Sequence, residues 1–240
     1  MHNGSKTVSI VLESYILKIL MPHIKGFIFD LDGVIVDTAK YHFEAWQRIA
    51  RSLGADFDHK DNEQLKGVSR VRSLELILNW HNIEVSKEDF IRLLDQKNKD
   101  YLALITDMDA SEQLPDVSRV LAFLKGHHQK VAVGSASKNA RPILEKIQLL
   151  NQFDAVVDGT NVTKAKPDPE VFLQAAEQIG VGADHCVVFE DAQAGIQAAK
   201  AAGMIAIGIG SADVLKEADH VFANFTEIDN AFLNQIINTK

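Results

Sequence analysis

The spacing of apolar residues predicts strands and helices that follow one another along most of the chain. An apolar run at 24–29 predicts a first strand, which ends in acidic residues and Gly33. After Pro115, short apolar runs alternate with segments of helical periodicity, as in a parallel sheet covered by helices on both faces. Further strands are predicted at 130–134, 155–157, 186–189, 204–209 and 220–223, and helices at 117–125, 139–149, 168–180, 192–202 and 227–237. We therefore expect an α/β fold with a doubly wound, mainly parallel sheet.

Residues 38–107 interrupt this alternation with helical patterns only. Apolar residues recur at helical spacing over 38–53, 74–80 and 87–104, and no segment between residues 37 and 107 has the pattern of a strand. We interpret this stretch as an inserted all-helical cap domain. Residues 21–37 and 108–240 would then form the core domain.

The first twenty residues do not belong to either pattern. The segment 8–20 is apolar but contains Glu13 and Lys18, is too short to span a membrane and lacks the organisation of a signal peptide. Two interpretations stay open: an additional amphipathic helix, or an extension upstream of a natural start at Met21. The extension is favoured, because a domain that begins with a strand starts cleanly just after Met21.

Composition and charge narrow the function. The formal net charge of −8 and the isoelectric point of about 5.6 argue against sequence-independent binding to nucleic acid, which needs a basic surface. The hydrophobic content of 46% is that of a packed globular protein. Cys186, the only cysteine, lies in an apolar run and is predicted to be a buried, inert thiol. We expect a cytoplasmic monomer that acts on a small molecule, without a membrane or nucleic-acid partner.

Chemically reactive side chains follow the predicted strands. Asp30 and Asp32 come after the first strand, Ser135 after the second, and Glu190 with Asp191 after the strand at 186–189. Carboxyl ends of parallel strands meet at one edge of a sheet, where ligands bind. Clustered carboxylates repel one another unless a cation joins them, and oxygen ligands favour Mg²⁺.

This chemistry indicates phosphoryl transfer. One of the two aspartates, Asp30, can attack phosphorus as a nucleophile, and Asp32 can pass a proton to and from the sugar oxygen. Lys166, in the loop before residue 168, can neutralise phosphoryl charge, and Ser135 with nearby N–H groups can bind a phosphoryl oxygen at a helix start. Each motif alone is common in turns and at helix starts, so only their joint order along the chain indicates this chemistry.

The same positions resemble the four motifs of the haloacid dehalogenase-like superfamily, over nearly everything from Ile24 onward. The motifs are Phe29-Asp30-Leu31-Asp32-Gly33-Val34, Val133-Gly134-Ser135, Lys166-Pro167-Asp168-Pro169 and Glu190-Asp191-Ala192. The resemblance implies a Rossmann-like core with a helical cap. A narrower resemblance, to the β-phosphoglucomutases, is carried by residues 37–46, 62–70, 135–139 and 190–196. It implies interconversion of β-glucose 1-phosphate and glucose 6-phosphate through β-glucose 1,6-bisphosphate.

The resemblance also implies roles for individual residues. Asp30 would carry the phosphoryl group and Asp32 would be the general acid and base, positioned by Thr38 and His42. Mg²⁺ would be held by Asp30, the Asp32 backbone carbonyl, Glu190 and Asp191. Substrate binding would fall to Lys66, Gly67, Arg70, Ser135, Ala136, Ser137, Asn139 and Lys166, with Arg70 on the distal phosphate and Ser135 and Lys166 on the transferring one. Asp116 and Ala192 depart from residues common in the family.

Two other functions stay open. A phosphatase acting on small sugar phosphates would use the same nucleophile and metal, because the outcome depends on how well the cap selects sugar over water. A catalytically inactive binding protein is the other alternative. The sequence argues against it, since every expected chemical position is filled.

Overall fold

A computed structural model describes residues 24–239, and the predicted extension at 1–20 lies outside them. Its centre is a six-stranded, all-parallel sheet with the strand order β3-β2-β1-β4-β5-β6. The strands are β1 Gly26–Phe29, β2 Lys130–Gly134, β3 Ala155–Val157, β4 Cys186–Glu190, β5 Ile205–Ile209 and β6 His220–Phe222. The predicted doubly wound α/β fold is confirmed. Because β1 lies in the middle, the residues that follow it are flanked by those that follow β2 and β4.

Helices cover both faces of the sheet. They are α5 Val117–Gly126, α6 Ala140–Lys146, α7 Glu170–Ile179, α8 Gln193–Ala201 and α9 Asn230–Asn238. Successive strand residues point to opposite faces. Phe27 and Phe29 accordingly pack in the cluster that contains α5, α6 and α9, and Ile28 packs in the cluster that contains α7 and α8. All three side chains are fully buried, so β1 is an internal strand with two hydrophobic faces.

Four helices lie between β1 and α5. They are α1 Ala39–Ser52, α2 His59–Glu63, α3 Arg70–Trp80 and α4 Lys87–Leu104. They enclose a hydrophobic cluster of their own around Trp46, Ile49, Leu74 and Ile77. No strand occurs between α1 and α4, as the sequence predicts, and the limits of the cap at residues 38 and 107 stay a prediction.

The two connections between these helices and the sheet lie side by side. Val36, before α1, forms an isolated antiparallel bridge with Gln113, after α4. Glu112 accepts hydrogen bonds from Lys40 Nζ at 2.7 Å and from the Tyr41 hydroxyl at 2.8 Å. The two connections are therefore tied to each other by a backbone bridge and by side-chain hydrogen bonds.

Several element limits differ from the sequence predictions. Strand β1 begins at Gly26, because Ile24 is half exposed and outside the sheet. The helix predicted at 139–149 ends at Lys146, and Gln148 then takes a left-handed conformation (φ 61°) that a helix cannot continue through.

Two helix limits need further comment. The helix predicted to begin after Asp168 instead has Pro169 as its N-cap, and the Asp168 carboxylate accepts a hydrogen bond from Glu170 N at 3.1 Å. The helix predicted from Leu74 begins at Arg70, because Ser69 caps it by accepting from Arg72 N. Among the described residues, no helix has the length and apolar composition needed to cross a membrane.

Candidate active site

Four charged side chains meet at the carboxyl ends of β1 and β4. Lys166 Nζ lies 2.6 Å from Asp30 Oδ1 and 2.8 Å from Glu190 Oε2. Carboxylate oxygens of Asp30, Glu190 and Asp191 all lie within 4.8 Å of one another. Asp30, Glu190 and Lys166 are buried. The sequence prediction that these residues converge is therefore confirmed.

Glycines permit this close arrangement. A Cβ on Gly195, in the first turn of α8, would collide with the Glu190 side chain, so only glycine lets the helix start so near that carboxylate. Gly33 has φ 79°, and a Cβ there would collide with the Asp191 carboxylate. Ala192 N donates to Glu190 Oε1 at 3.1 Å, which fixes the orientation of that carboxylate. The backbone around the site is thus shaped to bring acidic groups together.

The electrostatics of the cluster are unbalanced. Three carboxylates face the ammonium group of Lys166, and a second ammonium, that of Lys66, lies 3.7 Å from Asp191 alone among the three. Burial disfavours the charged form of Lys166, but the negative charges of Asp30 and Glu190 together have the larger effect. They raise the pKa of the lysine above its usual value. Burial raises the pKa of Glu190 to about 7, although Lys166 opposes the shift. Burial, with repulsion from Glu190 and Asp30, raises the pKa of Asp191 well above its usual value. The cluster favours an additional cation.

The donor set fits Mg²⁺. Asp30, Glu190 and Asp191 supply hard oxygen ligands at a spacing that one small ion can bridge. A divalent charge would offset the repulsion among these carboxylates, which adds to the effect of burial on the pKa values of Glu190 and Asp191.

Asp32 lies beside the cluster in a different environment. The Thr38 hydroxyl donates a short hydrogen bond to Asp32 Oδ1, and His42 Nε2 lies 3.8 Å from the same oxygen. Burial, reinforced by the charge of Asp30, raises the pKa of Asp32 to about 6. Two neighbouring aspartates thus have different surroundings: one is paired with a lysine, and the other can exchange a proton near neutral pH.

Lys97 is a site residue that the sequence analysis missed. Its Nζ lies 2.9 Å from His42 Nδ1 and over the rings of Trp46 and Tyr101, at 4.9 and 4.7 Å from their centroids. Burial lowers the pKa of Lys97 to about 7, and the charge of Arg70 adds to the effect. A signal for this position is present in the sequence. Lys97 lies three and four residues from the apolar positions Leu94, Leu93 and Tyr101, so it is on the buried side of α4.

The loop after β2 presents hydroxyl and amide groups to the same site. Ser135 is fully buried, and its Oγ accepts a hydrogen bond from Ser137 N at 3.0 Å. Ser135 N donates to Val157 O, so the N–H groups of Ser135 and Ser137 are engaged within the protein. The prediction that Ser135 lies at a helix start is wrong, because α6 begins only at Ala140. Its hydroxyl remains the group that can reach a phosphoryl oxygen.

The cap contributes the predicted residues 66, 67 and 70. Lys66 Nζ lies 3.7 Å from Asp191 Oδ2, and Gly67 is so near Ala192 that a Cβ on it would lie 2.9 Å from the alanine Cβ. Arg70 is partly buried, and burial lowers its pKa, against the charge of Asp95. Helices α1 to α4 therefore contact the core through the segment that includes Gly67.

A cavity of about 950 Å³ joins these groups. It lies between the carboxyl edge of the sheet and the cap. The predicted site residues that line it are Asp30, Asp32, Thr38, His42, Lys66, Gly67, Arg70, Ser135, Ala136, Ser137, Asn139, Lys166 and Asp191. Glu190 has no exposed surface and lies behind the wall. The space is of the size that small-molecule substrates occupy.

Comparison with known proteins agrees with this site. The model of the haloacid dehalogenase-like hydrolases matches residues 24–203. β-Phosphoglucomutase of Bacillus subtilis (strain 168) is 41% identical over 213 residues, which are 88% of this chain and 94% of the relative. Fructose-1-phosphate phosphatase YqaB of Escherichia coli (strain K12) is 35% identical over 184 residues, 77% and 95% of the two chains. A crystal structure of β-phosphoglucomutase from Clostridium difficile superposes with a TM-score of 0.86 at 38% identity, covering 90% of this chain and 97% of that one.

Proposed function

Because this chain belongs to the haloacid dehalogenase-like hydrolase family, we propose that it is a β-phosphoglucomutase working through an aspartyl phosphate on Asp30. The reaction interconverts β-D-glucose 1-phosphate and glucose 6-phosphate through β-glucose 1,6-bisphosphate. The observation that carries the proposal is the pairing of two aspartates in different environments. Asp30 contacts Lys166, and Asp32 contacts Thr38 and has a pKa of about 6.

The two aspartates divide the chemistry. The C6 hydroxyl of β-glucose 1-phosphate attacks phosphorus of the Asp30 acyl phosphate, the acyl P–O bond breaks, and Asp32 takes the hydroxyl proton. The resulting bisphosphate turns over in the site. The Asp30 carboxylate then attacks phosphorus of the C1 phosphate, and the departing C1 oxygen receives the proton from Asp32. Proton and phosphoryl group are both restored at the end of the cycle.

Other residues bind the transferring phosphoryl group. Lys166 neutralises its charge from a fully buried position, and the Ser135 hydroxyl donates to one of its oxygens. Asp30, Glu190, Asp191 and the Asp32 backbone carbonyl would hold Mg²⁺, which would supply charge stabilisation for the phosphoryl oxygens. Substrate binding at the cap falls to Lys66, Gly67 and Arg70.

The cap, proposed as residues 38–107, keeps water away from the acyl phosphate. Gly67 and Lys66 contact Ala192 and Asp191 of the core, so closure covers the metal site directly. Water that entered this space would hydrolyse the acyl phosphate and turn the enzyme into a phosphatase. Exclusion of water is therefore part of the specificity for the mutase reaction.

A sugar phosphate phosphatase is the second candidate function. It is favoured by the relatives named as phosphatases, among them the 35% identical enzyme of Escherichia coli that acts on fructose 1-phosphate. Such an enzyme would use Asp30, Asp32 and Lys166 in the same way, with water as the acceptor.

A single assay separates the two functions. The protein is supplied with β-glucose 1-phosphate, a trace of β-glucose 1,6-bisphosphate and Mg²⁺, and both glucose 6-phosphate and free phosphate are measured. The mutase produces glucose 6-phosphate with little free phosphate. Free phosphate without glucose 6-phosphate would contradict the proposal and support the phosphatase. Asp30→Asn serves as the inactive control.

A further inference from the structure

An amide–amide hydrogen bond joins the cap to the core at the edge of the cavity. Asn139 Nδ2 donates to Asn98 Oδ1 at 3.1 Å. Asn98 belongs to α4 of the cap, and Asn139 directly precedes α6 of the core. Both residues are partly buried. The bond therefore forms only when α4 lies against the loop that follows β2.

The Asn139 side chain has no part in capping the helix it precedes. It makes no capping hydrogen bond to α6, whereas its backbone N–H donates to Ser137 Oγ at 3.2 Å. Asparagine at a helix N-cap ordinarily uses its side-chain oxygen for the first turn of the helix. Here the amide group is directed to the cap instead, so its position serves the contact between the two units.

The cap beside Asn98 has an excess of positive charge. Lys97 is the preceding residue on α4, and Arg70 lies near enough that its charge lowers the pKa values of Lys97 and His42, to which burial contributes most. The Asp95 carboxylate opposes this excess at Arg70, and the Asp32 carboxylate opposes it at Lys97. Unpaired cations that line a cavity favour an anion there, and a guanidinium group suits a phosphate.

We propose that Asn98 is a specificity-determining residue, which couples docking of the cap to recognition of a sugar that carries a second phosphate group. Asn98 accepts a hydrogen bond from the amide of Asn139, which lines the cavity. A substrate whose distal phosphate reaches Arg70 of α3 and Asn139 adds a second link between the cap and the loop, whereas a substrate without that phosphate leaves the contact to the amide pair alone. This inference rests on one part of the proposed function, that the site binds a sugar carrying two phosphate groups.

Two substitutions at Asn98 separate recognition from a simple structural contact. Asn98→Ala removes the acceptor, and Asn98→Asp keeps an acceptor but adds a negative charge next to Asn139, a residue of the cavity wall. Binding of β-glucose 1,6-bisphosphate to each variant is measured by titration calorimetry with Mg²⁺. We expect about fivefold weaker binding for the alanine variant, as for the loss of one neutral hydrogen bond, and a larger loss for the aspartate variant through like-charge repulsion.

Two further measurements complete the test. Phosphorylation of Asp30 by acetyl phosphate, which has no distal phosphate, should be unchanged in both variants, and Asn79→Ala, an exposed asparagine of α3, should bind the bisphosphate as wild type. The inference is overturned if Asn98→Asp binds as tightly as wild type, if Asn98→Ala has no effect, or if the acetyl phosphate reaction falls in parallel. If the variants show this binding pattern and the wild-type protein lacks mutase activity, the result contradicts the proposed function and supports this inference. A wild-type protein that does not bind the bisphosphate would overturn the inference.

Discussion

Lys97 Nζ lies 2.9 Å from His42 Nδ1, while Nε2 of the same imidazole lies 3.8 Å from Asp32 Oδ1. Below its pKa of about 7 the Lys97 ammonium group can only donate, so Nδ1 accepts and the hydrogen of the neutral ring is on Nε2, facing Asp32. Burial, with repulsion from Lys97 and Arg70, lowers the pKa of His42 well below its usual value and keeps the ring neutral. A cap lysine thus determines which tautomer of His42 the proton-transferring carboxylate meets.

The buried charge of Lys97 makes stability depend on pH. The lysine titrates at about 7 in the folded protein and near 10.5 in the unfolded chain. Burying the charged lysine lowers the free energy of unfolding. This loss is fully present below pH 7 and declines as pH rises toward 10.5. We expect the melting temperature of Lys97→Met minus that of wild type to be more positive at pH 6 than at pH 9. An equal change at the two values would show that the lysine charge is not buried.

Asp30→Asn should abolish turnover, with a loss of at least about a thousandfold, because the amide is not a nucleophile. Lys166 keeps its contact with Glu190, so the variant should fold. The matched variant is Asp32→Asn, which should still be phosphorylated by acetyl phosphate, since acetate leaves without a proton. Intact-protein mass spectrometry after exposure to acetyl phosphate and Mg²⁺ measures the difference. A phosphorylated Asp30→Asn protein would identify another residue as the acceptor.

Mg²⁺ should stabilise the folded protein as well as activate it. The ion relieves repulsion among Asp30, Glu190 and Asp191, and a ligand at a hundred times its dissociation constant adds about 2.7 kcal/mol to the free energy of unfolding. Melting temperatures with EDTA and with Mg²⁺ measure the gain. The gain in melting temperature should be much smaller for Glu190→Gln. It should be unchanged for Glu177→Gln, because Glu177 is an exposed residue of α7. An equal gain in both variants would place the ion elsewhere.

The sequence predicts the sheet better than the details of the site. Apolar runs of four or five residues, such as β1 and β4, are predicted because both faces of a central parallel strand are buried. Asp30 and Glu190 were expected at the same edge of the sheet because each stands at the end of such a strand, but the pairing of β1 with β4 is known only from the structure. Lys97 was missed because a lone lysine in a helix resembles a surface residue, and its position on the apolar side of α4 gains weight only from its packing with Trp46 and His42.

Contacts across the cavity likewise could not be predicted from the sequence. Pairing of Asn98 with Asn139 joins residues 41 positions apart, and no local pattern indicates it. Termination of α6 depends on the left-handed conformation of Gln148, a residue type without a preference for that conformation. Such features depend on tertiary packing rather than on the periodicity of the segment.

Gly67 offers a test of how closely the cap must approach the core. Gly67→Ala would place a Cβ 2.9 Å from the Cβ of Ala192, in a residue with φ 69°. We expect a loss of glucose 6-phosphate formation and a larger share of free phosphate, because the cap can no longer close over the acyl phosphate. The ratio of the two products in the mutase assay measures this effect.

Gly54→Ala is the matched control for Gly67→Ala. Gly54 also belongs to the cap and has a left-handed backbone with φ 73°, but a Cβ there meets no atom within 4 Å. Both substitutions introduce the same backbone strain, of about 1–2 kcal/mol, so both should lower the melting temperature. Only Gly67→Ala should change the product ratio, and adding Ala192→Gly should restore the ratio in part by removing the collision while the strain remains. If Gly54→Ala changed the ratio equally, the effect would come from a weakened cap rather than from its contact with Ala192.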